Sequence, residues 1–254
     1  MSGVSAHEWD IMAQMKNSPL VVSKDSSNPN FAELRFGKTS AERESEAWPD
    51  LLIDGFFDPY KFATAAKQSG PFIFLGYKGS GKSAIGEHLR LSAANDPTSF
   101  VRYLSLGDFP YTPFSKIIKG DIEPEAKYPI AWSWLLLLQI LDQLTTDMGS
   151  SLQGDQDVGS AVSELRSSGL LPSQSLSHII QITNKRGFSL NLKWIGRSSE
   201  SLITHGTATD IPFLVEKLKE IVLSVQSQSK HLLIIDGLEP VINFARVVER
   251  GLPA

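Results

Sequence analysis

The sequence contains no cysteine in 254 residues. That excludes disulfides, zinc–thiolate sites, iron–sulfur clusters and cysteine nucleophiles, and it fits a reducing, cytoplasmic setting. It also lacks a strong charge of either sign: Lys plus Arg number 24 against 28 Asp plus Glu, a net charge of −4. Bulk charge therefore gives no support to nucleic acid as a partner. A membrane-spanning run is missing too. The most apolar stretch, Ala131 to Leu141, is 11 residues long and runs into Asp142, whereas a spanning helix needs about 20. At the amino terminus Glu8 and Asp10 stand where a secretion signal carries basic residues. Apolar residues make up 41% of the chain, enough to build a sizeable core.

Residues 1–30 read as a short amphipathic helix and a Ser/Asn/Pro tether, and 31–254 as one domain. Phe31 to Gly70 has a helical pattern broken by Pro49, Gly55 and Pro59. Pro71 to Leu75 (PFIFL) is short and wholly apolar, which predicts a strand buried on both faces. Ser83 to Ser92 predicts a helix, Phe100 to Leu106 a second strand, and Ile130 to Met148 a helix started by Pro129. Gly149 to Ser177 holds nine serines and reads as loop-rich, with one or two short helices. Phe188 to Ile195 alternates like a strand. Asp210 is placed to cap a helix over Ile211–Ser227, and His231 to Ile235 (HLLII) predicts a further doubly buried strand ending in Asp236-Gly237.

The strongest chemical signal is Gly76-Tyr77-Lys78-Gly79-Ser80-Gly81-Lys82-Ser83, which satisfies G-x-x-x-x-G-K-[ST] and leads into Ala84. Glycines let the backbone turn sharply and bring its N–H groups to phosphate oxygens. Lys82 is then expected on the β- and γ-phosphates of ATP and the Ser83 hydroxyl on Mg²⁺. The opening helix adds its positive end and unpaired N–H groups. Chance yields such a match in roughly one chain per hundred of this length. Its position between an expected strand and an expected helix makes chance a poor explanation.

Asp236, at the carboxyl end of an expected buried strand, is the second Mg²⁺ candidate, a reading the upstream P-loop favours over a mere strand-ending turn. Three residues on, Glu239 is placed to orient or deprotonate water, and equally reads as a solvated loop acid before Pro240. Lys82 and Asp236 lie 154 positions apart, so a helical insertion over about 112–210 is needed for them to meet. Asp108 follows the second strand, where a P-loop kinase keeps a base. We prefer a turn or cap before Pro110. Thr183-Asn-Lys-Arg-Gly187 lacks the acid of a guanine-reading motif, and the five histidines show no metal-ligand spacing. Trp132 and Trp134 read as core at helical spacing.

Taken together, FGKTSAERESE (36–46), FIFLGYKGSGKSAI (72–85), LGDFPY (106–111) and LLIIDGLEP (232–240) resemble bacterial P-loop ATPases related to AAA and STAND-type signalling ATPases. Many of these are encoded near phage-defence genes. The resemblance implies an ASCE/AAA-like, three-layer α/β P-loop NTPase fold with a parallel sheet, in which the P-loop strand neighbours the strand carrying the Mg²⁺-binding acid. It also implies a water-activating glutamate at Glu239 and an adenine contact near Phe36 and Gly37. The implied function is Mg-ATP binding and hydrolysis as a conformational or assembly switch, through a homo-oligomer or a partner protein. Only 14 residues follow Pro240, which leaves no room for that family's sensor strand, lid helices or arginine finger. Arg246 and Arg250 carry no assigned role. The expectation is an amino-terminal part of a longer protein, with turnover that is weak or needs a partner. The alternatives are a nucleotide-gated scaffold without turnover and a small-molecule or nucleoside kinase using Asp108.

Overall fold

The computed structural model describes residues 37–68, 73–119, 123–154, 156–172, 175–191, 207–208 and 210–238. All elements below belong to one compact unit, Lys38–Ala254. The expected helix and tether over 1–30 lie outside the described residues.

Among the described residues three short helices come first. In α1 (Ala41–Ala47) the Ser40 hydroxyl caps the Arg43 N–H at 3.4 Å, and Glu42 and Glu44 sit in the first turn, where a helix favours negative charge. Helix α2 (Pro49–Asp54) starts on a proline, whose missing N–H costs nothing at that position. The Asp58 carboxylate accepts from the N–H groups of Phe62 and Ala63 at 2.9 and 2.8 Å and so starts α3 (Phe62–Lys67). The expected breaks at Pro49, Gly55 and Pro59 thus fall at helix boundaries or between helices.

Helix α4 (Lys82–Ala93) follows the Gly-rich loop. Strand β1 (Ser99–Ser105) comes next, then α5 (Tyr111–Phe114) and the long α6 (Pro124–Thr146). The start of α6 corrects the sequence expectation: Pro124 occupies the first turn and Pro129 lies inside the helix. An internal proline forfeits one backbone hydrogen bond, at about 3 kcal/mol. Fully buried Trp134, Leu135, Leu138 and Leu141, spaced three and four apart on one face, offset that cost.

A 3₁₀ turn (Ser151–Gly154) and α7 (Gln156–Ser167) occupy the serine-rich stretch. Helix α8 (Leu176–Thr183) is capped by Ser175. Strands β2 (Leu190–Asn191) and β3 (Thr207–Ala208) pair antiparallel, so only two residues of the expected 188–195 strand are seen as strand; 192–206 lie outside the described residues. Helix α9 (Ile211–Ser224) packs on α6. Asp210 precedes it without a side-chain cap bond, unlike the expectation. Strand β4 (Lys230–Asp236) closes the described chain.

β1 and β4 pair in parallel over seven residues, from Ser99 opposite Lys230 to Ser105 opposite Asp236. Alternation sends neighbouring side chains to opposite faces. Tyr103 and Ile234 meet α4, where a Cβ added at Gly86 would fall 2.6 Å from the Tyr103 ring and 3.3 Å from Ile234. Arg102 faces the other way, to Asp142 and Gln139 of α6, both at 2.7 Å. Gln143 of α6 donates to the carbonyls of Phe100 and Leu232, one on each strand. The sheet therefore lies between α4 and α6.

One expectation changes. Ile73–Leu75, the described part of the expected P-loop strand, adopts no strand, and Ile73 and Leu75 are 59% and 87% exposed. An apolar run becomes a strand only where a neighbouring backbone pairs with it. Here β4 is hydrogen-bonded to β1, and Phe74 instead meets Phe62 edge-on. The stretch expected as an insertion, 112–210, supplies much of the core: Trp134, Leu165, Leu170, Ile179, Ile180 and Leu190 are all fully buried within it. Trp134 Nε1 donates to Thr183 at 3.0 Å, so its one polar atom is satisfied. Among the described residues no helix is long and apolar enough to cross a membrane.

Candidate functional site

Between Leu75 and α4 the chain makes a tight, exposed loop. Gly79 and Gly81 hold φ of +85° and +87°, the left-handed region where a side chain is strained although space around both is open. Gly81 is the N-cap of α4, and no side chain closes the end of that helix. The first-turn N–H groups and the positive pole of α4 thus point into the loop, as an anion site requires. Lys82 Nζ folds over the loop and donates to the carbonyls of Gly76 and Tyr77 at 2.8 and 3.1 Å. Tyr77 is 93% exposed, and Lys78 and Ser80 are also exposed. Ser83 and Ala84, in the first turn of α4, are partly buried.

The opposite wall comes from β4. Ser83 Oγ donates to Asp236 Oδ2 at 2.5 Å, linking residues 153 positions apart. The phenol of Tyr103 donates to the same oxygen at 2.5 Å and stands 3.5 Å from Glu42 Oε1 on α1. The Gly237 N–H donates to Asp236 Oδ1 at 2.8 Å. Burial pushes the Asp236 carboxyl up, but the Ser83, Tyr103 and Gly237 bonds and the Lys82 charge outweigh it and hold the group below the usual carboxylate range. Tyr103 moves the other way. Burial, the bond to Asp236 and the charges of Asp236 and Glu42 outweigh an opposing bond from Ser83 and push its phenol far up, so it keeps the proton that it donates to Asp236.

The structure thus brings together Lys82, Ser83 and Asp236 of the residues singled out from sequence. Glu239 and Phe36 lie outside the described residues. Gly37 is exposed, and Asp108 sits exposed in the turn after β1. Sequence reasoning passed over Tyr103, Glu42 and Gly86. Only pairing register would have found Tyr103, which lies two residues before the position opposite Asp236 and faces α4.

Among the described residues no cluster of three or more His, Asp or Glu side chains could hold a metal. The donor set of the site is one hydroxyl and one carboxylate, with loop amides and an ammonium beside them. Mg²⁺ demands six oxygens and keeps several waters, so such a set suits a cation that arrives with phosphate oxygens. No protein-family model, no curated protein and no solved structure matches this chain.

Proposed function

We propose that the chain is a three-layer P-loop ATPase module that binds Mg-ATP and hydrolyses it to switch an assembly or a partner. The observation that carries this reading is the 2.5 Å Ser83–Asp236 bond. It brings the helix end behind the Gly-rich loop and the carboxyl end of a sheet strand to one point, which is where open α/β sheets bind ligands.

In this reading the amides of residues 79–84 and the α4 pole hold the phosphates. The Lys82 ammonium leaves the Gly76 and Tyr77 carbonyls for phosphate oxygens, and its flexible stem allows that exchange. Ser83 would offer its hydroxyl oxygen to Mg²⁺, while Asp236 would hold metal-bound water and keep accepting the hydrogen bond of the Ser83 hydroxyl. When bound, Mg²⁺ neutralises charge on the phosphate oxygens during transfer. Glu239 is assigned the attacking water from its position three residues beyond Asp236. The switch function and its setting in bacterial signalling or phage defence rest on the sequence resemblance alone.

Calorimetric titration with ATP and Mg²⁺ tests the binding step. Lys82→Ala removes charge-assisted hydrogen bonds worth about 2 kcal/mol, so affinity is expected to fall about 30-fold. Equal affinity in wild type and variant, or no binding by either, would sink the reading.

A further inference from the structure

We propose that Tyr103 is a positioning residue for the cation: its hydroxyl locks the Asp236 carboxylate in the orientation that turns Ser83 and the metal-bound water toward Mg²⁺. This inference rests on the nucleotide reading above and adds a residue that no phosphate-loop motif contains.

A carboxylate offers about four lone-pair positions. At Asp236 two of them, on Oδ2, take the Tyr103 and Ser83 hydroxyls, and one on Oδ1 takes the Gly237 N–H. Three donors from three segments fix the plane of the group and leave its remaining acceptor position for water. Removing Tyr103 leaves Oδ2 with one donor, and the carboxylate is then free to rotate about its side-chain bonds. Such outer partners set the orientation of metal-binding groups.

Gly86 is the second, independent observation. It lies in the middle of α4, where glycine is unfavourable. A Cβ there would fall 2.6 Å from Tyr103 Cε2 and 3.1 Å from Cδ2. The absent side chain is what lets the ring pass between α4 and the sheet and bring its hydroxyl to Asp236. Gly86, Tyr103 and Asp236 thus form one mechanical unit on the face of the sheet that carries Ser83. The 3.5 Å approach of Tyr103 to Glu42 extends that unit to α1. At that distance Glu42 competes weakly for the single phenol proton, and Asp236 keeps it.

The test is calorimetric titration with a non-hydrolysable ATP analogue, once with Mg²⁺ and once with EDTA, on wild type, Tyr103→Phe and Gly86→Ala. Tyr103→Phe keeps the ring and its packing. It is expected to lose about 10-fold in affinity with Mg²⁺ and to stay within about twofold of wild type in EDTA. Gly86→Ala, which displaces the ring, is expected to show the same Mg²⁺-selective loss. A purely structural role would weaken both arms alike. Equal losses in the two arms, or none in either, from Tyr103→Phe would overturn the positioning role while leaving nucleotide binding intact. Binding that is absent in wild type, or unaffected by Lys82→Ala, would overturn the nucleotide reading and this inference with it.

Discussion

A hydrogen-bonded carboxylate sits at each end of β4, Asp236 on the strand and Asp147 at the end of α6, and the two are built alike. At the carboxyl end, Asp236 receives Ser83, Tyr103 and the N–H of Gly237. Near the amino end, Asp147 receives Ser227 at 2.5 Å, His231 at 3.2 Å and the N–H of Gly149 at 2.9 Å. In each case one oxygen takes two side-chain donors and the other takes a glycine amide, and at Asp147 Ser229 adds a further bond. What differs is where the donors come from and what lies beyond them. Asp147 is 2% exposed, and its side-chain donors are Ser227, in the short segment leading into β4, and His231, on β4 itself. It ties the end of α6 to the sheet and faces no opening. Asp236 is partly buried and shares its hydroxyl donor Ser83 with a glycine loop that is open to solvent. Similar donor arrangements make a clamp when sealed and a site when one donor is itself positioned to meet a ligand.

The sharpest way to break this comparison is to remove each carboxylate in turn. Asp147→Ala leaves the Ser227, His231 and Gly149 donors facing a buried gap and is expected to cost about 2–4 kcal/mol of stability. Below its melting transition the variant should still bind nucleotide as wild type does. Chemical denaturation and calorimetry on the same sample check both halves. Asp236→Asn should do the reverse. It keeps the volume but turns one accepting oxygen into an NH₂ that faces a donor at a partly exposed site, so stability should fall by only about 1 kcal/mol, while Mg-nucleotide affinity falls about 10- to 100-fold. An Asp236→Asn protein that unfolds easily but binds normally would make Asp236 a second clamp.

Acid sharpens the contrast further. At Asp147, burial raises the carboxyl pKa, but the bonds from Ser227, Gly149, His231 and Ser229 prevail and hold it below its ordinary value. A depressed folded-state pKa means that the carboxylate's contribution is complete above the unfolded value, about 3.9. The contribution fades as pH falls through the folded one. Asp236 follows the same sign, screened by its partial exposure. Denaturant titrations between about pH 5 and 2 should therefore flatten more in Asp147→Asn than in Asp236→Asn. The smallest expected effect lies in the loop. Gly79→Ala meets open space but must hold φ at +85°, which costs about 1 kcal/mol. Nucleotide-free stability measurements should show that loss.

The open end of β4 was also the more legible one. Gly76 to Ser83 is a contiguous string whose residue types follow from phosphate chemistry, and β4 is a plain apolar run that stops at Asp236. Helices α4 and α9 and strands β1 and β4 start within one residue of the sequence reading. Other features depend on partners far away in the chain. PFIFL has the composition of a buried strand, yet among the described residues no strand pairs with Ile73–Leu75, and composition cannot supply one. Pro129 looked like a helix start because a proline's local penalty says nothing about the burial of Trp134 five residues on. The serine-rich stretch reads as loop-rich with one or two short helices, and its serines hide that Val158, Ala161, Val162 and Leu165 give α7 one buried face. Tyr103 was invisible for the same reason: its role arises from a register with β4 that spans 131 positions.

The most direct test of the central claim is a double-mutant cycle of Ser83→Ala and Asp236→Asn, read as affinity for a non-hydrolysable ATP analogue with Mg²⁺. If the two residues serve one cation, each single variant binds weakly and the double variant is hardly worse, with a coupling of about 1 kcal/mol or more. Losses that simply add would mean that Ser83 and Asp236 do not act as one site, and the 2.5 Å bond between them would then be only a packing contact.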